Sequence, residues 1–381
     1  MEAPLSIAGV DPERNFAGGE SQVLGLTVAL KAAGHRADLI CDPAGALWER
    51  ARAARIECHP LRIRNSIDAA AGLRLRALLA RERYDVIHFH TARAHALAPF
   101  ARGRAGALIV TRRMDYAPNR LFAPWLYNRA VDGVAAISPA VADALVRAGV
   151  ARDRLALIPS GVDCAWFRPP TVTERRAARA ALGLAPWAVA VGTVGMLEAR
   201  KGQRYLLEGL ALIAARRPAP DARAGAIDGA QVQCFIAGAG AQAAALAAQI
   251  GRCGLGGSVR MLGALDDPRA LLWALDIFAM PSLAEGLGVA ALEAMACGLA
   301  VIASAAGGLA DAVVDEVTGM LVAPGDAAAI AAAIMRMTMA PAWRAALGAA
   351  GRARVAEKFA LEAMARRTLE LYRQCLAHGR E

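Results

Sequence analysis

The strongest constraint on this chain is an alternation that runs through it twice. Short, continuous apolar runs are separated by segments with helical periodicity. In the first half the runs are Leu5–Val10, Ala37–Cys41, Val86–Phe89, Leu108–Thr111, Val134–Ile137 and Leu155–Ile158. In the second half they are Val189–Val194, Cys234–Ala237, Val259–Leu262, Ile277–Met280, Ala300–Ala303 and Met320–Val322. Continuous rather than alternating apolarity describes strands buried on both faces, as in a parallel sheet. Helices between such strands make repeated βαβ units, so the expected class is α/β with two doubly wound, Rossmann-like sheets. The break falls in the segment CAWFRPPTV, where Pro169 and Pro170 interrupt all periodicity. The chain has 381 residues, which suits two domains of ordinary size. The expected division is 1–168 and 169–360, with 361–381 carrying a last amphipathic helix over about Leu361–Ala377. Two such domains facing each other present their strand ends to a cleft, where folds of this class bind ligands.

Composition limits the partners. The net charge of +10, mostly arginine, suits an anionic partner such as a membrane surface, a phosphorylated substrate or a nucleic acid. Solvated arginines on helix faces are the plain alternative. Aromatic residues make up only 5% and do not interleave with the basic ones, which argues against nucleic acid. The seven cysteines are an odd number, scattered and without a C-x-x-C pair, which argues against a disulfide framework or a zinc site. No basic stretch followed by an apolar run opens the chain, and no run of about 18 apolar residues occurs anywhere. A cytoplasmic protein is the expectation.

Four segments carry candidate chemistry. In PSLAEGLGVAALEAMACG, a strand ends at Met280, Gly286 and Gly288 form a loop, and a helix follows over about Val289–Cys297. The glycines let backbone approach a ligand, and the helix start offers free N–H groups with a positive dipole end. Such a site suits a diphosphate. Glu285 and Glu293 flank it, and eight helical positions between them would rise about 12 Å, the reach from a sugar past a diphosphate to a ribose. In VGTVGMLEARKGQRYLLEGL, Arg200 and Lys201 stand before a helix, where a cation is unfavourable unless it clamps an anion. In NFAGGESQVLGLTVALKAAGH, Gly18 and Gly19 precede a helix. In YDVIHFHTARAHALA, His88 and His90 sit at a strand end; His88 suits the core, and His90 suits a hydrogen bond to a sugar. Arg112 and Arg113 follow another strand and suit acceptor phosphates or solvent. There is no Asp-x-Asp pair, G-x-S-x-G elbow or metal motif, so neither a metal nor another cofactor is expected.

Taken together these strings resemble glycosyltransferase family 4, the retaining group 1 enzymes of GT-B fold. The likeness runs through AGGES, DVIHFHTARAHALA, AAISPAV and IPSGVDCAWFRP in the first half. It continues through VGTVGMLEARKG, FIAGAG, VRMLGALDD, DIFAMPSLAEGLGVAALEAMACGLAVIAS, GGLADAVVD and GMLVAPGD. The resemblance implies that Glu293 binds the donor ribose and that Glu285 contacts the transferred sugar. It further implies that backbone at Gly286, Leu287, Gly288 and Val289, with Lys201, holds the diphosphate. His90 would meet the sugar near the reacting carbon, Gly18 and Gly19 would close over the site, and Gly263 and Ala264 would meet the nucleobase. The last helix would return to the first domain. Two positions depart from the family pattern: Met196 replaces an arginine that shares the diphosphate, with Arg200 as a possible substitute, and Ser160 replaces an asparagine in a turn.

The sequence therefore points to a nucleotide-sugar donor and a cell-envelope glycan or glycolipid acceptor, such as a lipopolysaccharide core or lipid-linked saccharide. The anionic inner membrane would hold the enzyme peripherally at its cytoplasmic face. A nucleotide-sugar epimerase or hydrolase of the same fold, and a non-catalytic binding protein, are the alternatives.

Overall fold

The computed structural model describes residues 3–114, 118–215 and 232–378. The chain divides into two compact units, Met1–Gly161 with Phe359–Glu381, and Val162–Lys358.

The first unit holds seven parallel strands: β1 (Ser6–Asp11), β2 (Arg36–Cys41), β3 (Cys58–Pro60), β4 (Tyr84–Phe89), β5 (Ala105–Arg112), β6 (Gly133–Ala136) and β7 (Leu155–Leu157). Their order is β3-β2-β1-β4-β5-β6-β7. The order reverses between β1 and β4, which pair with Gly9 opposite His88. Ile7, Val86, Ile109 and Ile158 build the core, and Leu26 and Leu30 of the Gly18–Ala32 helix cover it. The Leu361–His378 helix closes the same face with Met364, Leu369 and Tyr372. The Tyr372 hydroxyl lies 2.7 Å from His88 Nδ1 and fastens that helix to β4. Residues 379–381 of the expected last segment lie outside the described residues.

The second unit holds six parallel strands: β8 (Val189–Val194), β9 (Val232–Ala237), β10 (Val259–Gly263), β11 (Ile277–Met280), β12 (Ala300–Ser304) and β13 (Met320–Val322). Their order is β10-β9-β8-β11-β12-β13. Here the order reverses between β8 and β11, with Val191 opposite Ile277. Val191, Ile236, Ile277 and Ile302 pack against Leu207, Leu210 and Ile334 from the covering helices. Partly buried Asp276 anchors the strand starts: Arg175 and Arg179 donate to it at 2.7 and 3.0 Å, and the Ala190 amide donates at 2.9 Å. Part of the arginine excess is therefore spent inside the fold.

Two sequence expectations change. The apolar-run criterion misses β3, whose Cys-His-Pro has no apolar run; proline is tolerated there because β3 is an edge strand. The division falls between Gly161 and Val162, ahead of the paired prolines. The intervening segment belongs to the second unit, where the Trp273 indole donates to the Arg168 carbonyl at 3.0 Å and Arg168 pairs with Glu174 at 2.7 Å.

Candidate functional site

In doubly wound sheets the crevice for a ligand opens beyond the carboxyl ends of the strands where the order reverses. In the second unit this point lies between β8 and β11, so the loops after these strands are the walls. The loop after β8 ends in a tight turn over Ala199–Lys201, capped by Gly202 in the left-handed region at φ 67°. A Cβ on Gly202 would lie 2.0 Å from the Pro281 carbonyl oxygen, so only glycine lets the two loops meet. The Leu283 amide donates to the Arg200 carbonyl at 2.7 Å and ties them. This contact delivers Lys201 to the opposite wall, where its Nζ donates to Glu285 Oε2 at 2.5 Å. Both side chains are largely buried, at 14% and 12% exposure, so the pair is a charge-assisted contact out of bulk water. The Ser282 hydroxyl reaches the same oxygen at 3.4 Å.

Beyond Glu285 the chain turns at Gly288, φ 86°, into the Val289–Ala296 helix. A Cβ on Gly288 would lie 2.3 Å from Leu309 Cδ2, so this turn also requires glycine. Leu287 is buried and can offer a ligand only its backbone. Of the amides at the helix start, that of Ala291 donates to the Gly288 carbonyl at 2.9 Å, and those of Val289 and Ala290 precede the first intrahelical bond, as anion-binding helix starts do. Glu293 lies on this helix, half-buried. Burial raises its pKa to about 8, and no donor among the described residues reaches its carboxyl. Only Val289 onward is helical, so the rise to Glu293 is about 6 Å rather than 12, and the rest of the Glu285–Glu293 spacing is loop.

Other predicted residues of this unit fall in different places. Arg200 donates to Glu198 at 2.8 Å within its own loop, and both side chains stay about a third exposed, at 38% and 34%. Met196 is exposed, and its carbonyl is held by Gln203 Nε2 at 3.0 Å. Gly263 and Ala264 are exposed at the end of edge strand β10, two strands from β8.

In the first unit the switch point lies between β1 and β4. His90 follows β4, and its amide donates to the Val10 carbonyl at 3.1 Å. The ring is buried over Gly9, 4.0 Å between centroids from the His88 ring. Its Nδ1 has no partner among the described residues. Burial holds its pKa well below the usual histidine value, so the imidazole is neutral. His88, by contrast, is satisfied at both nitrogens, by Tyr372 and by Thr111 Oγ1, each at 2.7 Å. His95 contacts the Leu126 carbonyl at 3.2 Å and the Tyr127 ring edge, a structural role.

Gly18 and Gly19 form the first turn of the Gly18–Ala32 helix instead of preceding it. The Ala17 amide donates to Glu20 at 2.8 Å and caps this turn. A Cβ on either glycine would meet nothing within 4 Å, so the space beside them is open. Arg112 is buried at the end of β5. Arg113 donates to the Ser160 hydroxyl at 3.3 Å, and burial lowers its pKa to about 10. Ser160 therefore also meets a partly buried guanidinium whose Nε is enclosed. Sequence reasoning missed Asp11, which ends β1 almost fully buried. Burial raises its pKa to about 7, with Glu20 and Glu13 adding to the shift. Its signal, a lone acid at the end of an apolar run, is too common to single out.

Residues 175–354 match the family described as glycosyl transferases group 1, and residues 16–166 match the one described as glycosyltransferase family 4. The chain is 31% identical over 307 residues to a D-inositol 3-phosphate glycosyltransferase of Saccharomonospora viridis, covering 78% of this chain and 67% of that protein. It is 34% identical over 222 residues to a GDP-mannose-dependent monoacylated alpha-(1-6)-phosphatidylinositol monomannoside mannosyltransferase of Corynebacterium glutamicum. That match covers 55% of this chain and about half, 54%, of that relative's length. Among solved structures, Anabaena HepE in complex with UDP and glucose superposes with a TM-score of 0.84 at 23% identity, over 96% of this chain and 98% of that one. The fold is that of the GT-B glycosyltransferases, and the chain belongs to glycosyltransferase family 4, the group 1 glycosyltransferases.

Proposed function

We propose that the protein transfers a glycosyl group from a nucleoside diphosphate sugar to an acceptor hydroxyl, with retention of the anomeric configuration. The observation that carries this reading is the Lys201–Glu285 pair at the β8–β11 switch point, beside the Val289–Ala296 helix start. A cation and the amides of a helix start suit the diphosphate, and the neighbouring carboxylate suits sugar hydroxyls. During transfer the bond from the anomeric carbon to the β-phosphate oxygen breaks, and the acceptor oxygen bonds to that carbon. The acceptor proton passes to the departing phosphate. Lys201 and the helix start stabilise the charge growing on the leaving group, an electrostatic contribution that is usually the largest single one. Glu293 takes the ribose hydroxyls. The family resemblance gives His90, whose Nδ1 has no partner among the described residues, a contact to the sugar.

A uridine or guanosine diphosphate sugar is the donor class, supported by the UDP of the Anabaena structure and the GDP-mannose dependence of the Corynebacterium relative. The acceptor class is a polyol or glycolipid bearing phosphate, supported by the relatives' named inositol phosphate and phosphatidylinositol mannoside substrates. These names favour that class over the lipopolysaccharide core expected from sequence. No helix among the described residues is long and apolar enough to cross a membrane. Peripheral contact with an anionic membrane is supported by exposed Leu121, Phe122 and Trp125 in a segment whose only charges are Arg120 and Arg129.

The test is thermal stabilisation by UDP, GDP, ADP and CMP, followed by donor turnover with a polyol phosphate panel. A ligand at 100 times its dissociation constant stabilises the fold by roughly 2.7 kcal/mol. One nucleotide should shift the melt and its sugar should be consumed only with acceptor. Consumption without acceptor would make the protein a hydrolase or epimerase. A shift without any consumption would make it a binding protein.

A further inference from the structure

The switch-point crevice of the first unit opens at the carboxyl ends of β1 and β4; the amino ends of the same sheet carry a different chemistry. Arg102 leads into β5, Arg129 into β6 and Arg154 into β7, three neighbouring strands. With Pro124, Trp125 and Asn128 they line an open depression of about 730 Å³, within the size range of ligand sites. β5 has eight residues, so this depression lies about 25 Å from the carboxyl end of that strand. The carboxylate beside the arginines is already engaged: Asp132 accepts from Arg102 at 2.7 Å and from the Leu108 amide at 2.8 Å. Arg102 also donates to the Arg129 carbonyl, which sets these two arginines side by side. Arg154 reaches the Val131 and Asp132 carbonyls, each at 3.4 Å. Neither Arg129 nor Arg154 pairs with an acidic residue among the described ones. Asp153 stands in the Arg152–Arg154 turn, where Arg152 offsets its charge. Converging guanidinium groups without a carboxylate of their own favour an anion that bonds to several of them at once. The basic rim continues at the amino ends of β4 and β5, where Arg83 and Arg104 line a smaller depression.

The apolar side of the larger depression indicates what carries that anion. Trp125 belongs both to its lining and to an exposed apolar patch, with Phe122 one helical turn before it and Leu121 next to Phe122. We propose that the depression seats the phosphodiester of an anionic phospholipid, with Arg129 and Arg154 on its oxygens and its acyl chains against Trp125, Phe122 and Leu121. The seat rests on the proposed membrane contact and makes it specific, one lipid phosphate at one place instead of a diffuse layer of charge. A choline headgroup is disfavoured, because its ammonium would meet the same arginines. Lying at the opposite end of the sheet from the crevice, the seated lipid is an anchor and not the acceptor.

The test is calorimetric titration of the full chain with dihexanoylphosphatidylglycerol below its micellar concentration. Dihexanoylphosphatidylcholine and inorganic phosphate are the other probes, and sedimentation with phosphatidylglycerol vesicles runs in parallel. The phosphatidylglycerol should bind saturably, one per chain, and the other two at least about tenfold more weakly, since each lacks either the net charge or the chains. Arg154→Gln and Arg129→Gln should each weaken it about tenfold, as loss of a charge-assisted hydrogen bond does. Trp125→Ser should weaken the lipid and leave inorganic phosphate unchanged. The thermal shift given by UDP or GDP should stay the same in all three variants, which also reports that they fold. Should Arg154→Gln fail to fold, Arg154→Lys keeps the charge without the planar fork and should still lose several-fold. The seat is overturned if vesicles bind while the short-chain lipid does not saturate, or if the arginine variants leave its binding unchanged. Inorganic phosphate binding as tightly as the lipid would also overturn it and make the depression a site for free phosphate. Failure of the wild type to bind phosphatidylglycerol vesicles would instead overturn the membrane contact on which the seat rests.

Discussion

Lys201 and Glu285 illustrate how much of this site rests on single side chains. Removing one member of a buried pair strands the other, which costs about 3–5 kcal/mol in typical cases. Lys201→Ala should therefore lower stability by several kcal/mol and reduce turnover by about a hundredfold or more, as loss of a transition-state charge donor does. Denaturant melts and turnover measurements separate the two effects. The double variant Lys201→Met, Glu285→Leu should recover stability without activity; recovery of activity would remove the pair from the mechanism. Glu293 makes a pH prediction. Its carboxyl rises from 4.5 to about 8 in the fold, so between these values the folded form keeps a proton that the unfolded chain releases. Its contribution to stability is full below the unfolded pKa and is lost as pH rises toward 8. Melts of the unliganded protein should lose stability across pH 5–8 relative to Glu293→Gln, by an amount on the order of a few kcal/mol. A ribose diol donating to this residue favours the ionised form. UDP affinity should therefore climb over the same range in the wild type and stay flat in Glu293→Gln. The motif spacing made these residues legible in the sequence. It did not reveal that Arg200 folds back on Glu198, or that Ser160 holds Arg113, because both depend on loop geometry that no periodicity encodes.

At the level of elements, the strands were legible because apolarity without alternation has one cheap solution, a parallel sheet covered on both faces. The loops were not, and two glycines explain why. Gly202 and Gly288 look like any loop glycine in sequence, yet each sits at positive φ with a neighbour where a Cβ would stand. Gly202→Ala should break the Leu283–Arg200 hydrogen bond and move Lys201 away from Glu285. It should cost at least the 1–3 kcal/mol typical of a strained backbone position, visible as a lower melting temperature. Gly19→Ala is the contrast. It lies in a helical first turn with open space beside it, so stability should hold or rise by about 0.4–1 kcal/mol. Donor turnover should nevertheless fall, because the family resemblance has Gly18 and Gly19 close over the site. Unchanged turnover in Gly19→Ala would remove this turn from the site.

For the molecule as a whole, the net charge of +10 raises the question of where the arginines act. Many are spent internally: Arg175 and Arg179 on Asp276, Arg168 on Glu174, Arg102 on Asp132. Arg120 and Arg129 are different, because they flank Leu121, Phe122 and Trp125, exposed by 84%, 66% and 52%, with no acidic residue from Pro118 to Val131. A shallow depression joins Trp125 and Arg129 to Arg102 and Arg154. Large apolar side chains ringed by arginine are the composition of a surface that enters a lipid headgroup layer, where each basic residue contributes about 1 kcal/mol on an anionic membrane. Vesicles of phosphatidylglycerol and phosphatidylcholine should therefore sediment the protein, and vesicles of phosphatidylcholine alone should not. Binding should weaken as salt is raised, since the arginine contribution is screened within about 10 Å at 0.1 M ionic strength. Leu121→Ser with Trp125→Ser should reduce binding at every salt concentration, and Arg120→Gln with Arg129→Gln should mainly remove the salt dependence. Equal binding to neutral vesicles, or binding untouched by the serine pair, would show that the proposed membrane contact does not run through this surface. The arginines there would then be solvated charge.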